Sequence, residues 1–172
     1  SAKNCSYKGV IEAAEGSLER LKTSYIDLYL QHWPSKEHQI EETMRAFVYL
    51  VKKGLVKYIG VSNFTPELMN EAQKVLGDNV IMCNQVGYHL NDRRVENDVI
   101  PFCQKHGITV MAYSPFGYAP QFFGGVGFPE AGSKERQVLD EIGGKYGATA
   151  YQVALNWIIR HQGVIGRGFT GN

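Results

Sequence analysis

Four places in this sequence put side chains capable of chemistry at the end of an apolar run. His32-Trp33-Pro34 follows Tyr25–Leu30, and Ser62-Asn63 follows Tyr58–Val61. Asn84-Gln85 lies near the end of Val80–Val86, and Tyr113-Ser114-Pro115-Phe116 closes Ile108–Tyr113. An imidazole can polarise an oxygen or exchange a proton with it. Primary amides can read the hydrogen-bonding edge of a planar heterocycle, and a phenol ring can stack on its face. Taken singly, each group has a plain structural explanation. His32 can tether a strand end, Ser62-Asn63 can cap the next helix, Gln85 can satisfy backbone groups, and Tyr113 can fill core. Together they describe a polar mouth suited to a flat heterocycle.

The elements that must carry these groups alternate. Residues 8–22 show Ile11, Ala14, Leu18 and Leu21 at helical spacing, and the strand over 25–31 follows. A helix near 41–53 turns Met44, Phe47, Leu50 and Val51 inward and stops at Gly54. After the 58–61 strand, Thr65-Pro66 reads as an N-cap followed by a first-turn proline. That helix presents Leu68, Ala72, Val75 and Leu76, and Gly77 ends it. A strand over 80–86 leads to a helix around 95–106 that buries Val99, Phe102 and Cys103. A strand over 108–113 then gives way to a Gly- and aromatic-rich loop, 117–132. Loops of that length in compact domains are commonly functional. Helical patterns return at 133–146 and 150–161, where Thr149 and Gln152 form a T-x-x-Q capping box. Val164-Ile165 begins a fifth strand whose signal fades into glycines. Apolar strands separated by helices require right-handed crossovers and a parallel sheet, with ligand chemistry at the strands' carboxyl ends. The expectation is one α/β domain over 1–172.

Composition narrows the function classes. The chain has 172 residues, a hydrophobic share of 44% and a formal net charge of +1, with charges of both signs interspersed. No basic stripe points to nucleic acid. Cys5, Cys83 and Cys103 have no metal-ligand spacing and read as reduced, buried thiols of a cytoplasmic protein. No signal peptide or membrane-length apolar run is visible. Ser1 opens almost directly into a helix and the last residues are Gly-rich, so both ends suggest a segment of something larger.

DLYLQHWP, GLVKYIGVSNF, NQVGYH and GITVMAYSPFG occur in this order, and at this spacing they resemble the aldo-keto reductases. The resemblance runs from about Ala14 to Ile165. It implies a partial (β/α)8 TIM-type barrel of four to five parallel βα units, with residues 166–172 an atypical tail. It also implies NADPH bound in an extended pose without a GxGxxG loop. By position, His32 matches the family's active-site histidine, which polarises the substrate carbonyl, and Trp33 lines the substrate pocket. Ser62, Asn63 and Gln85 correspond to the residues that hold the nicotinamide carboxamide, and Tyr113 to the ring that stacks on the nicotinamide. Ser114 and Phe116 fall along the pyrophosphate, and the 117–132 loop corresponds to the one that folds over the cofactor. The substrate would be a small carbonyl compound.

The chain also departs from that pattern. The family's catalytic tyrosine, with its lysine and aspartate, comes from earlier barrel strands that have no counterpart here. Tyr7, Lys8 and Asp27 are the right residue types in the wrong places. The usual basic residue for the adenosine 2′-phosphate is also missing, with Arg167 its one candidate. The resulting expectation is a truncated aldo-keto-reductase-like protein, weak or inactive as a reductase by itself. Its open barrel edges would be covered in a homo-oligomer. Two other classes stand beside it. One is a non-catalytic oligomeric scaffold. The other is a promiscuous esterase using His32 or His89 as base, for which no G-x-S-x-G elbow is present.

Overall fold

The computed structural model describes residues 4–118 and 127–166. The chain divides into two compact units, Ser1–Gln85 and Val86–Asn172.

In the first unit α1 (Tyr7–Leu21), β1 (Ile26–Gln31), α2 (Ile40–Lys52), β2 (Val56–Ser62) and α3 (Pro66–Leu76) precede β3 (Ile81–Gly87). The strands lie side by side in chain order, and both pairs are parallel. Residues of β1 match β2 from Ile26↔Val56 to Gln31↔Val61. The β2–β3 register shifts between Ile59 and Gly60, after which Gly60 faces Cys83 and Ser62 faces Gln85. Gly60 is required by that crossing, since a Cβ there would lie 2.8 Å from Cys83 Sγ and 2.9 Å from Leu30 Cγ. Helix starts follow local chemistry. Ser6 Oγ accepts from Gly9 N at 3.0 Å, and Thr65 Oγ1 caps α3 with Pro66 in its first turn.

The buried stripes differ from the expected ones by a residue. α1 buries Val10, Ala14 and Leu18, at strict i, i+4 spacing, and leaves Leu21 exposed. α3 buries Met69, Ala72 and Leu76, with Leu68 at the edge. α2 buries Met44, Ala46, Phe47 and Leu50, and the Phe47 ring packs 5.5 Å from that of Tyr29 on β1.

The second unit adds a 3-10 turn (Arg94–Glu96), α4 (Val99–His106), β4 (Thr109–Tyr113), α5 (Lys134–Tyr146), α6 (Ala150–Ile159) and β5 (Val164–Gly166). β4 and β5 pair in parallel from Val110↔Val164 to Ala112↔Gly166, so the fifth strand forms and includes Gly166. The helix expected over 95–106 is split. Pro101 tolerates only the first turn of a helix, where no N–H is needed, so α4 starts at Val99 with Asp98 accepting its N–H at 2.6 Å. The Thr149/Gln152 capping box is present in both directions. Tyr88 is fully buried. Its hydroxyl donates to Glu96 Oε1 at 2.6 Å and lies 3.0 Å from His161 Nε2. All three cysteines are buried thiols outside any disulfide. No helix among the described residues is long and apolar enough to cross a membrane, and no group of potential metal ligands occurs among them.

Candidate active site

In the first unit the predicted residues meet at the carboxyl ends of β1, β2 and β3. Asn63 follows the last residue of β2 with φ 61°, a left-handed conformation that asparagine tolerates better than most side chains. That turn aims its N–H at Gln85 O, 2.9 Å away. Its side-chain Nδ2 donates to Ser62 Oγ at 3.0 Å and reaches His32 O at 3.4 Å. Ser62 Oγ in turn donates to Gln85 O at 2.8 Å. Four of the expected residues, His32, Ser62, Asn63 and Gln85, thus share one network. Ser62 and Gln85 are buried, whereas His32 is exposed and Trp33 is 46% exposed. The two rings lie 6.2 Å apart, and Gln31 Nε2 holds the Trp33 carbonyl at 3.1 Å.

Beside Gln85 stands Asn84, whose role is structural. Its Nδ2 donates to Phe64 O at 2.9 Å and its Oδ1 accepts from Phe64 N at 3.4 Å. Alternation along the strand sends adjacent amides to opposite faces, so Asn84 clamps the turn into α3 while Gln85 faces the other way.

The three candidates that sequence placed outside the pattern are engaged elsewhere. Tyr7 and Lys8 lie in the first turn of α1, with Lys8 Nζ 3.4 Å from Glu12. Asp27 pairs with Lys57 at 2.9 Å near the amino end of β1, opposite to the end that carries His32.

In the second unit Tyr113 ends β4 and Ser114 follows at φ 52°, its carbonyl accepting from Gly117 N at 2.9 Å. Burial raises the Tyr113 phenol above its ordinary range, and Tyr118 and the Gly87 backbone hydrogen-bond to it. Any Cβ at Gly87 would collide with the Tyr118 hydroxyl, so the glycine makes room for both phenols. Tyr118 belongs to the aromatic-rich loop marked in the sequence, where nothing singled it out from its neighbours. The partly exposed Phe116 ring packs edge-on against Phe128 at 5.7 Å and Tyr151 at 5.1 Å. Residues 119–126 of the loop and Arg167 lie outside the described residues.

His89 is 2% exposed, with its ring 4.9 Å from that of Tyr118 and Nδ1 accepting from Asn91 N at 3.3 Å. Burial lowers its affinity for a proton, against a smaller opposing effect of Asp92, while Arg94 pushes the same way as burial. The unfolded imidazole protonates near pH 6.5 and the folded one resists, so stability falls as pH drops through that window. Asp92 is itself held below the usual carboxylate range by Arg94, so its loss comes at lower pH. Urea midpoints are therefore expected to fall between pH 7.5 and 5.5 in the native chain and to stay nearly flat in His89→Asn. Equal slopes would contradict this assignment.

The Aldo/keto reductase family model matches residues 1–167. The chain belongs to the aldo/keto reductase family. This aldo/keto reductase chain is 40% identical over 162 residues to the methylglyoxal reductase YeaE of Escherichia coli strain K12, covering 94% of the chain and 54% of that relative. It is 34% identical to the glyoxal reductase of Bacillus subtilis strain 168 over 157 residues, covering 90% and 50%. Among solved structures, the thermostable aldo-keto reductase Tm1743 in complex with epalrestat superposes with TM-score 0.85 at 37% identity, over 99% of this chain and 58% of that one. The Klebsiella pneumoniae aldo/keto reductase with NADP and acetate gives TM-score 0.80 at 34% identity, over 96% and 56%. The chain thus spans about half the length of the relatives it matches. Its α/β fold matches their (β/α)8 barrel over that half.

Proposed function

We propose that this chain supplies the nicotinamide-facing part of an NADPH-dependent carbonyl reductase site that acts on a small oxoaldehyde, with weak turnover by itself. The observation that supports this most is the Asn63-centred network, which joins the Ser62 hydroxyl and the main-chain carbonyls of Gln85 and His32 at the ends of three strands. The donor set fits the cofactor. Amide side chains at 63 and 85 complement a carboxamide, which both donates and accepts. Relatives carry the names methylglyoxal and glyoxal reductase, and solved members hold NADP or NADPH.

When bound, NADPH supplies the hydride. Ser62, Asn63 and Gln85 would hold the carboxamide and so orient the nicotinamide ring toward the substrate. His32 donates to the carbonyl oxygen and orients it, and Trp33 forms an apolar wall. Lys8 and Asp27 are paired at other places, so no tyrosine–lysine–aspartate acid is assembled from them. General acid catalysis is typically worth 10²–10⁴-fold, and turnover is expected to fall short of a full-length relative by about that factor.

The test is titration of NADPH fluorescence. Saturable binding is expected, weakened about three- to tenfold in Asn63→Ala and again in Gln85→Ala. Slow methylglyoxal-dependent NADPH oxidation should disappear in His32→Ala. If NADPH does not bind, or both amide variants bind as the native chain does, the proposal fails.

A further inference from the structure

Gln31, the last residue of β1, is an amide on a face that suits apolar side chains. It shares that face with Tyr29, whose ring packs on Phe47 of α2, and it is 6% exposed. Burying an amide is unfavourable unless its hydrogen bonds are made. Its Nε2 donates to Trp33 O at 3.1 Å and to Cys5 Sγ at 3.7 Å, so both amide hydrogens are used. Its Oε1 has no partner among the described residues. A flipped amide would set oxygen against the Trp33 carbonyl oxygen, which fixes the nitrogen as the group at that contact. Gln31 is thus engaged through its donors alone, and they hold the turn that follows β1.

That turn is gripped at two successive carbonyls. Asn63 Nδ2 reaches His32 O at 3.4 Å, and Gln31 Nε2 takes Trp33 O. A peptide group is planar, so a carbonyl held in one direction holds its whole plane. The two planes flank the Trp33 Cα, and together they set the direction in which the indole leaves the chain. Packing fixes that indole only in part, since it is 46% exposed. The far end of the Gln31 bridge is anchored in turn, because the buried Thr43 of α2 donates through Oγ1 to Cys5 O at 2.6 Å. We infer that Gln31 is a positioning residue of the carbonyl site, acting through the Trp33 peptide to aim the indole that walls the substrate. This rests on the proposed reading of Trp33 as that wall.

The test labels the full chain with 5-fluorotryptophan. The two tryptophans, Trp33 and Trp157, fall in different units, so the Trp157 fluorine line is an internal reference and Trp33→Phe assigns the pair. Gln31→Met keeps the length of the side chain and removes both N–H donors. It should move the Trp33 line by more than its native width and leave the Trp157 line in place. In Gln31→Glu the same displacement is expected while the carboxylate is ionised, because it cannot donate. The line should return toward its native position as acid restores a proton that can. At saturating NADPH, Gln31→Met should lower kcat/KM for methylglyoxal about tenfold, with NADPH affinity within about twofold of native. An unmoved Trp33 line in Gln31→Met, both lines moving together in both variants, a Gln31→Glu line indifferent to pH, or NADPH affinity falling as far as kcat/KM would each overturn the assignment. No methylglyoxal turnover in the native chain would instead overturn the reductase reading, with the fluorine lines still deciding whether Gln31 aims Trp33.

Discussion

Asn84→Ala is expected to lower stability by about 2–4 kcal/mol, because it strips partners from two buried main-chain groups at once. Both belong to Phe64, which is 1% exposed, so bulk water does not reach them to replace the amide. For a chain of this size the melting temperature should fall by about 5–15 °C. The same turn holds Asn63 in its left-handed conformation, so NADPH binding should weaken as well. Gln85→Ala is the contrasting variant. Ser62 Oγ and Asn63 N bond to the main-chain carbonyl of Gln85, so that substitution leaves those two bonds in place. It should reduce the proposed NADPH affinity with a smaller stability loss than Asn84→Ala. Adjacent amides would thus separate into one that holds the fold and one that meets the ligand. A melting temperature for Asn84→Ala within about 2 °C of the native chain would refute the clamp.

The second large effect distinguishes two neighbouring glycines. At Gly143 on α5, a Cβ would overlap the Ala148 carbonyl oxygen, where the chain turns back and Ala148 N bonds to Gly143 O at 2.9 Å. The obstacle is backbone, which cannot swing aside as a side-chain end can. At Gly144 nothing lies within 4 Å. Gly144→Ala should therefore stabilise by about 0.5–1 kcal/mol, through restored helix propensity. Gly143→Ala should destabilise by about 1–3 kcal/mol despite the same propensity gain. Urea denaturation of the two single variants measures both. Midpoints moving in the same direction would exclude the close approach as the reason for Gly143.

Much of this was legible in the residues. Thr65-Pro66 and the Thr149/Gln152 box announced two helix starts because capping is local: the partners lie three residues away. Strand ends carrying His32, Asn63 and Gln85 could be read because apolar runs and their polar stops share one stretch of chain. What could not be read depends on distant partners or on register. The β2–β3 shift at Ile59/Gly60 decides which of Asn84 and Gln85 faces α3, and no pattern within either strand encodes it. The Tyr88–His161 contact spans 73 positions and leaves no periodic trace. Pro101 did carry a usable signal, since a helix begun at 95 would place it in the interior. The bond from Gln31 Nε2 to the Trp33 carbonyl depends on where that carbonyl points, which is a property of the folded turn.

The buried thiols lend themselves to a different use. Cys5 and Cys83 belong to the first unit and Cys103 to the second, each at most 7% exposed. Burial raises the Cys83 thiol to about 11, so at neutral pH almost none of it is thiolate. A maleimide reagent can then reach any of the three only through transient opening. Their separate alkylation rates form a built-in gauge of cooperativity. Equal rates at Cys83 and Cys103 mean that the two halves breathe as one, and a gap between them measures how independently each half opens.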